Sequence, residues 1–67
     1  MLGNQTILIT QQTAVDVRID ATTDEEQFFM VGETYEVYIC STGNKQTLVE
    51  FQDGSIAYLP NHVFSVN

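Results

Sequence analysis

The chain has 67 residues and a net charge of −7, with nine Asp and Glu against two Lys and Arg. That length allows one small domain, which buries only about 60% of its unfolded surface and is marginally stable. The charge disfavours direct nucleic-acid binding and anionic membrane surfaces, leaving a basic protein partner as the electrostatic match; it would equally serve solubility alone.

Residues 1–67 read as a single domain, with 1–13 as an N-terminal extension strand. Ile7-Leu8-Ile9 lies between Thr6 and Thr10, and Gln11-Gln12-Thr13 breaks the strand, because three polar residues would otherwise face the core. Val15, Val17 and Ile19 alternate with Asp16, Arg18 and Asp20, the period-2 signature of a strand with one wet face. Residues 20–32 give mixed signals. Thr23 with Glu26 has capping-box spacing and Gly32 suits a helix stop, yet Phe28-Phe29-Met30-Val31 cannot share one helical face. A structured loop with at most one helical turn near 24–31 is the reading adopted.

Tyr35, Val37 and Ile39 alternate with polar neighbours, as do Thr47, Val49 and Phe51. Gly43-Asn44 marks one turn, and Asp53-Gly54 signals a two-residue hairpin in which both residues take positive φ. Residues 34–59 should therefore form a three-stranded antiparallel meander. Val37, Ile39, Val49, Phe51, Ile56 and Tyr58 are its expected buried side chains. Residues 63–66 add a last short strand. The fold class is all-β, with five to six short antiparallel strands.

The order of elements, and three segments within it, resemble the SH3 family. Phe29-Met30-Val31-Gly32-Glu33 is similar to its diverging turn, and Ala57-Tyr58-Leu59-Pro60-Asn61-His62-Val63-Phe64 to its strand, Pro turn and last strand. Val49-Glu50-Phe51-Gln52-Asp53-Gly54-Ser55 is equally similar to Tudor-type hairpins. Both resemblances imply a small SH3-like β-barrel over roughly residues 14–67. They also imply that Phe29 points inward and Phe28 outward.

Function transfers less well. SH3 domains hold polyproline II ligands between aromatic residues, but Val17 and Ile19 replace the first-strand aromatic pair. No tryptophan stands near Thr47 or Leu48, and Val63 replaces the tyrosine after Pro60. An aromatic cage for methyl-lysine could draw on Tyr35, Tyr38, Tyr58 and Phe51, but Tyr35 and Phe51 fall on expected core faces.

Catalytic and metal-binding parts are sparse. His62 is the only histidine, so a triad or a His-rich metal site has no parts. Asp24-Glu25-Glu26 lacks the spacing of a calcium loop, and no phosphate-binding glycine loop occurs. Cys40 is the sole cysteine; it rules out an intramolecular disulfide and reads as a small, buried or half-buried apolar residue. The four-residue apolar run is too short to span a bilayer, and the N-terminus lacks a signal-peptide pattern. The expectation is a soluble, cytoplasmic, non-enzymatic protein without cofactor or metal.

The leading functional expectation is a protein-binding module that acts through an acidic loop and an exposed sheet edge or surface. Asp20, Asp24, Glu25 and Glu26 would form its acidic loop, Phe28 would be its anchor, and a basic protein its partner. Two alternatives are an inhibitor that imitates DNA phosphates, as suits small viral or mobile-element antagonists of host enzymes, and a decorating subunit of a larger assembly.

Overall fold

Alternating side chains dictate strands almost throughout. The computed structural model describes residues 4–67, so the first three residues of the expected extension strand lie outside it. The elements are β1 (Gln5–Ile9), β2 (Thr13–Arg18), β3 (Asp24–Phe29), β4 (Thr34–Thr42), β5 (Gln46–Phe51), β6 (Ile56–Pro60) and β7 (Phe64–Val66), with a 3-10 turn at Asn61–Val63. They form one antiparallel sheet in the order β3-β2-β6-β5-β4-β1-β7. β3 and β7 are its two edges, and hydrogen bonds do not close them into a barrel.

The strand break before Thr13 is present, and β1 sits inside the sheet between β4 and β7. One sheet face is buried although no helix covers it. Ile7, Ile9, Val17, Val37, Val49 and Leu59 are fully buried. A lone sheet can hide one face in this way by curling over it. A bulge between Ile39 and Ser41 helps to bend β4. Cys40 is the extra residue of that bulge and is exposed, which corrects its expected burial.

Phe29 ties the curl together. It is 2% exposed, stacks on Phe51 at 5.9 Å with an interplanar angle of 12°, and meets Tyr35 edge-on at 5.4 Å. Tyr35 and Phe51 also meet edge-on, at 5.9 Å. These rings come from β3, β4 and β5, and neither β4 nor β5 pairs with β3.

The strands number seven rather than the expected five to six, and two further sequence expectations need correction. Residues 24–29 form a strand, with no helical turn near 24–31. β3 pairs with β2 from Thr13–Phe29 to Arg18–Asp24, so sheet bonds satisfy the backbone that a capping box would have served. The apolar run is then divided: Phe29 points inward, whereas Phe28 is 66% exposed. Gly32, with φ of +92°, sits in the tight turn that Glu33 closes through its N–H to the Met30 carbonyl at 3.1 Å. Positive φ is costly for any residue with a Cβ.

The second correction concerns the 34–59 meander, which forms as expected, but with a loop of three residues, 52–54, inside the closing pair Phe51 and Ser55. Phe51 donates its N–H to the Ser55 carbonyl at 2.8 Å, and Gly54 donates to the Phe51 carbonyl at 3.0 Å. Gly54 has φ of +89°, while Asp53 does not enter that region. This is a turn followed by a left-handed glycine, not the two-residue turn expected. The extra loop residue shifts the register by one, setting Val49 opposite Ala57 and Thr47 opposite Leu59. A one-residue slip exchanges the faces of a strand. Ala57 and Leu59 are therefore the buried pair, Ile56 is half-buried and Tyr58 is 54% exposed.

At the opposite end Asn61 fastens the β4–β5 turn. Its Oδ1 accepts from Thr47 Oγ1 at 2.7 Å, its Nδ2 donates to the Gly43 carbonyl at 2.9 Å, and its N–H donates to the Lys45 carbonyl at 2.8 Å.

Phe29→Ala should lower the unfolding free energy by about 3–5 kcal/mol, because it removes the shared partner of two other rings. Urea denaturation measures this. A loss under about 1 kcal/mol would show that the β2–β3 hairpin does not depend on Phe29.

Candidate functional site

Strand alternation separates the acidic residues. Asp24 and Glu26 share the outer face of the β2–β3 hairpin with Arg18, Asp16, Ala14 and Phe28, whereas Glu25 lies on the opposite face. The expected acidic loop is thus an edge strand followed from β2 by a short turn. Register carries the outer face onward: Arg18 stands opposite Ile56, Ile56 opposite Glu50, Tyr58 opposite Leu48, and Glu50 opposite Tyr38.

A groove opens on this face where β2 leaves β6. Their pairing is limited to Val17–Ala57 and Arg18–Ile56, so Asp16 and Tyr58 are not bridged. The groove has a volume of about 380 Å³ and is lined by Asp16, Arg18, Asp24, Leu48, Ile56, Ala57 and Tyr58. Its floor is apolar and its rim charged, a combination suited to a side chain with an aliphatic stem and a cationic head.

Each residue expected to bind a partner has a definite place. Asp20 lies in the β2–β3 turn, where its Oδ1 accepts from Thr22 N–H at 2.8 Å and Thr22 Oγ1 at 3.1 Å. Those bonds, the backbone one foremost, hold its pKa below the ordinary carboxylate value. Asp24 takes a forked contact from Arg18, Nε to Oδ1 at 2.8 Å and Nη2 to Oδ2 at 3.3 Å. Both side chains are about half exposed, so this pair adds little stability, but it locally cancels the Asp24 charge. Glu25 and Glu26 are exposed and have no ion-pair partner among the described residues. Phe28 is exposed on the face of Glu26.

The structure therefore brings Asp24, Glu26 and Phe28 together and leaves Asp20 and Glu25 apart. It adds Asp16, Leu48, Ile56 and Tyr58. Tyr58 could have been found from the sequence by allowing Gly54 to be the third residue of the loop, which puts Ala57 and Leu59 inside.

Glu33 fixes the exit of the hairpin into β4. Its Oε1 accepts from the Met30 N–H at 2.9 Å and the Tyr35 hydroxyl at 2.8 Å. The Met30 bond, followed by that from Tyr35, lowers the Glu33 pKa. Burial, then the hydrogen bond to Glu33, pushes the Tyr35 pKa up to about 12. A carboxylate with depressed folded pKa adds stability that is present above its unfolded pKa and lost as pH falls through the folded one. The stability difference between the native chain and Glu33→Gln should therefore be largest near neutrality and shrink below about pH 4. Denaturant titrations across that range test this, and a pH-independent difference would contradict it.

No protein-family model, curated protein or solved structure matches the chain.

Proposed function

We propose that the chain is a non-catalytic protein-binding module with an SH3-like barrel architecture, and that a basic protein docks on the outer face of its β2–β3 hairpin and the adjoining β6 groove. The connectivity supports the architecture: a hairpin, a tight Gly-Glu turn, a three-strand meander, a 3-10 turn and a last strand beside the first. The curled sheet and its internal aromatic cluster support it further. Proline-rich recognition has little support, because the outer face lacks a tryptophan platform.

One observation carries the functional reading. Exposed Phe28 and Tyr58 share a face with Asp16, Glu26 and Glu50, whose one basic residue, Arg18, is paired with Asp24. Aromatic burial supplies affinity, while unneutralised carboxylates speed encounter with a cationic partner. A surface evolved for solubility alone has less need of two exposed rings there.

The test is affinity capture from a lysate of the source organism at low and high salt, followed by binding measurements on the captured protein. Phe28→Ser should leave the thermal midpoint nearly unchanged and weaken binding by roughly 1–3 kcal/mol. Reversing Asp24, Glu25 and Glu26 to lysine should slow association and flatten its salt dependence. Unfolding of Phe28→Ser would place that residue in the core. Unchanged kinetics after charge reversal would move the interface off the hairpin.

A further inference from the structure

The outer edge of β3 has a defined hydrogen-bonding pattern. Ile19 donates its N–H to the Thr23 carbonyl at 2.9 Å, one step beyond the Arg18–Asp24 pair. Directly opposed residues that bond each other alternate with pairs that do not. Glu25, Gln27 and Phe29 thus bond toward β2, and the N–H and C=O groups of Asp24, Glu26 and Phe28 turn toward the open side.

Sheet edges are usually blunted by proline, lysine, bulges or brevity. β3 runs six residues without a register shift and contains neither proline nor lysine. The opposite edge, β7, has only three residues. What guards β3 is negative charge, and that guard is selective. Like charges opposed across strands repel, so β3 of a second copy is rejected, whereas opposite charges attract.

We propose that the free edge of β3 accepts an extended basic segment of the partner protein by strand addition. Main-chain groups of Asp24, Glu26 and Phe28 supply the hydrogen bonds. Alternate side chains of the incoming strand then fall on two faces: a cation beside Glu26 and an apolar residue beside Phe28 on one, and a cation beside Glu25 on the other. This mode rests on the protein-binding reading and gives Glu25, which the docking face leaves out, a contact of its own.

Three synthetic peptides of lysine, threonine and valine in extended sequence separate the possibilities. One has native amides, and the other two are N-methylated on one or the other set of alternate amides. Each is titrated into the isotope-labelled chain at low salt while amide exchange is followed by NMR. The unmodified peptide should slow exchange at Asp24, Glu26 and Phe28 by about tenfold. One methylated peptide should lose that protection and its binding, while the other retains both. If both methylated peptides bind as well as the unmodified one, strand addition is wrong and side-chain docking on the outer face stands. If none binds at millimolar concentration, both the edge mode and the basic-partner reading fail.

Discussion

The position of the acidic hairpin depends above all on the burial of one side chain, Phe29, while the turn after β3 is bonded to Ile9 of β1. β3 pairs with β2 alone, and β2 is joined to the rest of the sheet by just two residue pairs with β6. Such a short junction would let the hairpin swing. Phe29 opposes this by stacking on Phe51 of β5, with Tyr35 of β4 closing the third side. Glu33 then ties Tyr35 to the turn that follows β3, so one cluster fixes both the hairpin and its exit. The sequence Phe28-Phe29 thus serves two ends: one ring locks the platform, and its neighbour is presented on it.

The charge acquires meaning once it is placed. Among the nine acids, Asp53 and Asp20 are occupied within turns, Glu33 caps another turn, and Asp24 is paired. Asp53 Oδ1 accepts from Ser55 Oγ at 2.6 Å and Ser55 N–H at 3.0 Å, which lowers its pKa through the hydroxyl first and then the amide. Asp16, Glu25, Glu26, Glu36 and Glu50 remain without such partners among the described residues. All but Glu25 lie on the outer face. The unpartnered acids other than Glu25 therefore line the outer surface of the curled sheet, from the β2–β3 hairpin across β5 to β4.

Much of the fold was legible because alternation survives wherever one face is wet: β2, β4 and β5 follow directly from their Val, Ile and Phe spacing. The faces of β6 were not legible, since Ile56, Ala57, Tyr58 and Leu59 are all apolar and a single loop residue decides which pair goes inside. β3 was obscured for a related reason. As an edge strand it buries Phe29 fully and little else, so its other residues carry no alternation to read. The outward position of Phe28 was legible from the sequence, as was its nearness to acidic residues. Their neighbours across the sheet depended on register, which local sequence does not encode.

The claim that Phe29 makes the hairpin part of the core is tested most directly by native-state hydrogen exchange. Amides of Val15 and Gln27, bonded across β2 and β3, are compared with those of Val37 and Val49 in the central strands. The account predicts that all four open with free energies within about 1 kcal/mol of one another, as members of one cooperative unit. Val15 and Gln27 exchanging almost without protection, while Val37 and Val49 remain protected, would contradict it and make the hairpin an independently mobile arm.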